Sequence, residues 1–513
     1  MQYTNPVIPG FYPDPSICRV GDDYYLVTSS FEYFPGVPIF HSKDLVNWRQ
    51  IGHCLTTERQ LPLANAWSSG GIYAPTLRYY DGWFYMTTTN LGGIGNLYVK
   101  STQPSGPWSD PIPVAQNGID PSLLFDEDGR IYFQSTRTGD QGDGIYQCEI
   151  DIETGNMLTE SRLIWKGTGG AYPEAPHLYK INGYYYLLIA EGGTEYGHMV
   201  TIARSSNPYG SYESCPYNPI LSNRSMKSSI HATGHADMVQ IQDGSWWAVC
   251  LGIRPLSYPM KHHLGREVFL ASVNWTEDGW PIIGNGGRME SVMDAPPLPE
   301  VRWPDKPIRD DFNQSQLGLD WTFLRNPLPE SWSLQERRGY LALRGNRTTL
   351  NDAASPAFIG RRLCHFSCRL ATALEFEPLN DGEEAGLTVY MNERHHYDLA
   401  VRLIEGRKRV VFRRTVGSLR VEETMDCPEG QVALMIKALP QRFEFSIRSY
   451  SSEVIKVGWG ETHLLSTEVA GGFTGVFIAM YATSETQEAT PAFFDWFDYE
   501  PLDSTKLGGL ENS

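Results

Sequence analysis

The sequence predicts an all-β protein: an N-terminal five-bladed β-propeller followed by a two-sheet β-sandwich. Three observations carry that expectation. A short pattern built on Pro13-Asp14-Pro15-Ser16 occurs in five copies before residue 295. Its copies lie roughly 45 to 60 residues apart, the range of a four-stranded propeller blade with elaborated loops. The composition, with 49 Gly, 34 Pro and 12% aromatics, breaks short apolar runs with Asp-Gly and Asn-Gly turns, and no long stretch has helical apolar periodicity. Finally, 513 residues exceed one ordinary core, and the prolines of Pro296-Pro297-Leu298-Pro299 and Trp303-Pro304-Asp305-Lys306-Pro307 mark a joint. The expected domains are therefore 1–295, a linker 296–308, and 309–513.

Each copy has the same order of parts: a small or polar residue, a Pro or Ala, an apolar run, a turn, then an aromatic strand. Asp14 leads to the Gly21-Asp22 turn and Tyr24–Val27. Ala74-Pro75-Thr76 leads to Asp81-Gly82 and Trp83–Tyr85. Asp120-Pro121-Ser122 leads to Asp128-Gly129 and Ile131–Phe133. Glu174-Ala175-Pro176-His177 leads to Asn182-Gly183 and Tyr184–Leu187, and His235-Ala236-Asp237 leads to Asp243-Gly244 and Trp246–Val249. Later in the copies an outer-strand aromatic recurs at Trp48, Trp108, Tyr212 and Trp280, a residue for packing between blades; Gly144–Cys148 is the weakest match. A strand from Met1–Ile8 is expected to close the ring.

From Arg309 onward the chain is a series of strand-like runs, among them Tyr340–Leu343, Ala385–Tyr390, Tyr397–Val401, Val410–Phe412, Phe443–Ile447 and Phe473–Met480. Several alternate between apolar and polar residues, as antiparallel sheets packed face to face require. Leu507–Ser513 is expected to fray.

A formal net charge of −18 would repel nucleic acid and anionic membranes and points to a neutral substrate, although an acidic surface serves solubility as well. The N-terminus has no basic and apolar leader and no stretch reaches membrane-spanning length, so a cytoplasmic protein is expected. The eight cysteines form no CxxC pair and are expected to be buried free thiols; the mature form of an exported protein would look the same. Self-association into a homo-oligomer is left open.

In a propeller the first strand of every blade runs along the central axis, so equivalent positions face one cavity. Asp14, Asp120, Glu174 and His235 are thereby expected to converge. Crowded carboxyl groups repel, so at least one should hold its proton towards the working pH. A protonated carboxyl beside an ionised one suffices to hydrolyse a glycosidic bond: the first protonates the leaving oxygen, the second activates water or attacks directly. A single Asp-Pro is usually a turn cap, but three acidic residues in repeat register are more than turn chemistry needs.

Asn5-Pro6 through Phe11-Tyr12-Pro13-Asp14-Pro15-Ser16, Ser69–Pro75, Ile119-Asp120-Pro121-Ser122, Pro173–Leu178, Glu191-Gly192-Gly193-Thr194, Thr233-Gly234-His235 and Gly252-Ile253-Arg254-Pro255 resemble the family 43 glycoside hydrolases. The likeness is to β-xylosidases whose C-terminal sandwich is concanavalin-like. It implies an inverting enzyme with Asp14 as general base, Glu174 as general acid and Asp120 tuning Glu174, with base and acid about 6.5 to 9.5 Å apart to admit a water. It also implies substrate contacts from Phe31, Tyr73, Ala74, Thr194, His235 and Arg254. For Phe31 and Thr194 ordinary packing is the alternative, and for Arg254 a structural ion pair. Phe473, in Gly472-Phe473-Thr474-Gly475, matches an aromatic that closes the pocket; a core Phe in strand Phe473–Met480 is the competing expectation. No cofactor is required; a structural Ca²⁺ is conceivable near His235 or in the sandwich, where Asp311 and Asp495 would contribute.

The resulting expectation is an exo-glycosidase releasing xylose, and arabinose too, from xylo-oligosaccharides and arabinoxylan fragments. The related xylosidases often carry Trp where Tyr73 stands and Phe where Ile119 stands, which leaves the choice between β-D-xylosides and α-L-arabinofuranosides open. The rivals are a non-catalytic sugar-binding propeller and a retaining fructosidase-type hydrolase.

Overall fold

The computed structural model describes residues 1–139, 142–449, 453–486 and 488–502. The described chain divides into two compact units: residues 1–66, 70–255 and 266–303, and residues 67–69, 256–265 and 304 onward. The expected fraying of Leu507–Ser513 lies outside the described residues.

The first unit holds five four-stranded antiparallel sheets, each made from one copy of the repeat. Their first strands are Ser16–Val20, Gly71–Tyr80, Ile119–Phe125, Glu174–Ile181 and His231–Gln240. Each first strand touches the next in chain order, and the fifth touches the first. The hairpin after the first strand turns where the sequence places Gly with Asp or Asn. At Asp81-Gly82 and Asn182-Gly183 both residues have positive φ, as the tightest two-residue turns demand. The expectation for Met1–Ile8 needs correction. Gln2–Thr4 pairs with Val292–Asp294 in a separate two-stranded ladder, and only Ile8 bridges to the fifth sheet, at Val268. The five copies already supply four strands each, so no sheet lacks one.

Apolar side chains fill the spaces between successive sheets. Val27 and Ile39 of the first meet Leu77 and Met86 of the second, and Tyr85 and Tyr98 meet Leu123 and Phe133 of the third. Ile145 meets Leu178 and Leu187, and Leu188 and Ile202 meet Ala248 and Phe269. Trp108, Tyr212 and Trp280 join these clusters, in the packing role expected of outer-strand aromatics. Where the first strands meet, the filling is polar. Arg78 forks onto Asp237 at 2.8 and 3.2 Å and donates to His177 Nδ1 at 3.0 Å, while Ser16 Oγ and Tyr179 Oη donate to Asp237 at 2.6 and 2.5 Å. Asp237, fully buried, is held ionised by these donors against the cost of burial. The start of the proline-rich joint packs on this unit: Val301 N–H donates to Asp44 Oδ2, and Arg49 lies 3.9 Å over the Trp303 ring.

The second unit contains two large antiparallel sheets. One runs in the order Trp332–Ser333, Leu341–Arg344, Pro491–Pro501, Cys368–Glu375, Val432–Ala438, Arg442–Ser449, Ile455–Glu461, with Arg309–Asp310 pairing to Pro491–Pro501. The other is Ala357–Arg362, Phe477–Thr483, Glu384–Asn392, His395–Ile404, Arg407–Val416, Leu419–Asp426. Strict alternation of buried and half-buried residues in Val432–Ala438 is the signature of a strand with one face on a core. The strand expected from Phe473 begins instead at Phe477; the preceding Gly471 and Gly472, both at positive φ, hold Phe473 in a loop. All eight cysteines are free; six are buried and Cys364 and Cys427 half-buried.

Candidate active site

The site is built where the first strands of the five sheets begin. Asp14, Asp120 and His235 sit at φ values of 56°, 54° and 49°, in the left-handed region. In the fourth copy that conformation belongs to Ala175, at 55°, and not to Glu174. The sequence register that aligned Glu174 with Asp14 and Asp120 is therefore off by one. Ala175-Pro176-His177 is the true counterpart of Asp14-Pro15-Ser16, and Glu174 is the residue before it. Register breaks at Ile119/Ser122 and Glu174/His177 fall alike in the two strands, so Glu174 is the counterpart of Ile119, and each bulge re-aims the side chains around it.

The displaced glutamate nonetheless joins the two aspartates. Asp14 is buried; its Oδ2 accepts from Ser29 Oγ at 2.6 Å and its Oδ1 from Arg266 Nη1 at 2.8 Å, with His235 Nδ1 at 3.6 Å. Burial pushes its carboxyl up, but Arg266, His235 and Ser29 outweigh that and hold it below the usual range. Asp120 Oδ2 accepts from the Ala175 N–H at 3.2 Å. Burial and the Asp14 charge push the Asp120 carboxyl up to about 7. Glu174 is raised well above the ordinary glutamate value by burial, then by Asp120, then by Asp14. Against these, the Arg266 charge pulls it down, and that effect is the smallest of the four. One site thus brings together a carboxyl held below the usual range and two raised above it.

Around this core Phe31, buried and at φ 48°, packs against Tyr73 at a centroid distance of 5.0 Å, with the Arg266 guanidinium 5.6 Å from its ring. Tyr73 is half-buried and Ala74 buried; burial, then the Glu32 charge, push the Tyr73 hydroxyl up to about 12. Thr194 Oγ1 accepts from Arg266 Nη1 at 3.2 Å, so it belongs to the same constellation as Asp14.

Arg254 stands apart from the carboxylate triad in its pairing. It forks onto the buried Glu267 at 2.7 and 2.8 Å, and Glu267 also accepts the Gly10 N–H at 2.8 Å. The arginine on Asp14 is Arg266, which the sequence reading missed because it falls at no repeated position and in no recurring motif. His198 was missed too. It is buried, its Nε2 stands 3.7 Å from Glu174 Oε1, and its Nδ1 lies 3.2 Å from the Ala232 carbonyl. Burial, then His235, push its imidazole down to about 3, so it faces the acid uncharged. Its only local signal is a strand that starts at the next residue, Met199.

Phe473 belongs to the second unit, where it is 38% exposed and its N–H donates to Ser69 Oγ at 2.8 Å. Asp311 and Asp495 lie near Arg309, whose guanidinium forks onto Asp498 at 2.6 and 2.7 Å. Among the described residues no three His, Cys, Asp or Glu side chains are grouped as a metal-ligand set.

Known proteins resemble this chain over nearly its whole length. Residues 3–281 match Glycosyl hydrolases family 43, and residues 309–500 match the β-xylosidase C-terminal concanavalin A-like domain. A non-reducing end α-L-arabinofuranosidase of Bacteroides ovatus is 48% identical over 98% of this chain and 95% of its own length. A xylosidase/arabinosidase of Butyrivibrio fibrisolvens is 38% identical over 94% of this chain and 95% of its own. Among solved structures, GH43B of the Bacteroides ovatus xyloglucan PUL superposes with a TM-score of 0.94 at 46% identity, covering 98% of this chain and 100% of that one. A xylan β-1,4-xylosidase from Bacillus halodurans gives 0.93 at 38% identity, covering 97% and 99%. With both parts of the chain matched and relatives alike over nearly their whole length, this protein belongs to glycosyl hydrolase family 43.

Proposed function

We propose that the protein is an inverting, exo-acting glycosidase that releases xylose, and arabinose as well, from xylo-oligosaccharides and arabinoxylan fragments. The observation that carries this reading is the contrast within one site between Asp14, held by Arg266 at 2.8 Å and Ser29 at 2.6 Å, and Glu174, which burial and the neighbouring Asp120 raise. Hydrolysis with inversion needs an ionised base to take a proton from water and a protonated acid to give one to the leaving oxygen. Asp14 is the base: Arg266 and Ser29 fix its orientation and keep it ionised. Glu174 is the acid, and Asp120 keeps it protonated through its own negative charge. His235 and Thr194 support Asp14 and Arg266, and Phe31 and Tyr73 form the apolar wall that a sugar ring packs against. The three carboxyl groups supply every proton transfer, so no cofactor enters the reaction. The five sheets are read as blades of a five-bladed propeller, supported by the closed circuit of contacts among their first strands.

Exo action and acceptance of both sugars are supported by the relatives, one named a non-reducing end α-L-arabinofuranosidase and another a xylosidase/arabinosidase. Tyr73 and Ile119 stand at the positions where the sequence reading expects larger side chains in xylosidases, leaving room for a furanose. Paired aryl β-D-xyloside and α-L-arabinofuranoside substrates, with the first-formed anomer followed by NMR, test the reading. Hydrolysis of both with inverted product is expected. Retained configuration, or tight xylose binding without turnover of either substrate, would overturn it.

A further inference from the structure

The acid Glu174 is preceded by a strap, residues 167–172, and the structure shows what ties that strap down. Glu191, at the end of the neighbouring strand Tyr184–Glu191, is completely buried. Its carboxylate accepts the Thr168 N–H at 2.9 and 3.0 Å, the Thr168 hydroxyl at 3.0 Å, the Gly170 N–H at 2.9 Å and the Thr201 hydroxyl at 2.5 Å. Every one of these partners donates, and all are backbone N–H or hydroxyl groups of Thr168, Gly170 and Thr201. A fully buried carboxylate is expensive unless donors saturate it. Most of the donors that saturate it belong to the strap.

The approach is close enough to dictate the strap's sequence. A Cβ on Gly167 would stand 2.6 Å from Glu191 Oε1, and one on Gly170 would stand 2.9 Å from Glu191 Cβ. The next residue along, Gly192, donates its N–H to the Ala171 carbonyl at 2.6 Å, so the clamp reaches to within three residues of the acid. On the other side Ala190, the residue before Glu191, is the register partner of Glu174. The chain leaving the strap and the strand it pairs with are thus both fixed at one point.

We infer that Glu191 is a positioning residue for the general acid: by holding the 167–172 strap against the fourth sheet it sets where the half-buried Glu174 carboxyl stands and how far it is shielded from solvent. This rests on the reading of Glu174 as the acid. Misplacement of a catalytic group by about 1 Å is enough to lose roughly a hundredfold in rate. The loss should fall where the acid is needed. An aryl glycoside with a good leaving group departs with little protonation, whereas an unactivated oligosaccharide does not.

Glu191→Gln replaces one acceptor oxygen by an NH₂ that faces donors, which should release the strap while keeping side-chain volume. Two readouts separate positioning from plain stability. First, kcat on xylobiose should fall at least about tenfold further than kcat on an activated aryl xyloside, within the range that general acid catalysis contributes. Second, the upper limb of the pH profile should move to lower pH. The groups facing Glu174 are Asp120, Asp14, Arg266 and His198; with those unchanged, only lost burial of Glu174 lowers that limb. Glu174→Ala serves as the control. If it shows no leaving-group dependence, the acid assignment itself has failed; if it does while Glu191→Gln loses both substrates equally with an unmoved limb, the positioning role is refuted. Thr201→Val removes a single donor at nearly constant shape and carries the same two readouts should Glu191→Gln not fold.

Discussion

Glu174 and Asp14 stand in the same site yet differ in protonation because their partners differ. Asp14 has a guanidinium and a hydroxyl at hydrogen-bonding distance, whereas Glu174 has burial and two other carboxyl groups. On the proposed mechanism Asp14 works ionised and Glu174 protonated, so kcat/KM should trace a bell whose lower limb lies below the ordinary carboxylate range and whose upper limb lies well above it. Asp120→Asn removes a negative charge that raises Glu174; the upper limb should then shift to lower pH, and a limb that stays put would remove Asp120 from its tuning role. The same shift governs stability. The folded-state pKa of Glu174 lies above its unfolded value, so as pH rises the unfolded chain gives up this proton first, and stability falls between the two values. Glu174→Gln should therefore raise stability near neutral pH by about 1 kcal/mol, seen as a higher Tm, while removing the proton donor. Asp14 works the other way: its depressed pKa contributes stability that is present above the unfolded value and lost as pH falls through the folded one. Of these residues, Asp14 and Asp120 were legible from Asp-Pro-Ser. Arg266 and His198 were not, since each reaches the site from a position that resembles nothing else in the chain.

At the scale of elements, the working part is a strand that opens with a bulge and a left-handed residue. Asp14, Asp120, Ala175 and His235 share that conformation, which a β-branched side chain tolerates poorly. Ala175→Val is expected to cost about 1 to 3 kcal/mol in denaturant unfolding and to lower kcat by displacing Glu174, its chain neighbour. Ala175→Gly, which accepts positive φ freely, should keep stability at or above the parent value. The repeat misled because acidic residues were matched to one another: the bulges at Ile119/Ser122 and Glu174/His177 are alike, and they pair Glu174 with Ile119 and Ala175 with Asp120. In the second unit, Arg413 shows how strands carry charge inside a sandwich. It forks onto Glu384 at 2.8 and 2.7 Å and reaches Asp398 at 3.2 Å, all three buried. Arg413→Ala should destabilise that unit by about 3 to 5 kcal/mol, because it strands buried carboxylates.

For the molecule as a whole, a proton relay among side chains predicts that exhaustive chelation leaves turnover of aryl glycosides unchanged; a loss restored by Ca²⁺ would put an ion into the mechanism. The sequence by itself determined the all-β class, the five-fold repeat, the break near the proline-rich joint and the family to which the chain belongs. Each of these rests on local order: turn residues, alternation and recurring short motifs, which every stretch of chain carries independently of its distant neighbours. Tertiary structure alone decided which arginine holds Asp14, which carboxyl keeps its proton and what braces the strap before Glu174. Those outcomes depend on burial and on charges brought together from residues as far apart as 14 and 266. No window of sequence contains both partners, and a pKa is a property of the surroundings and not of the residue.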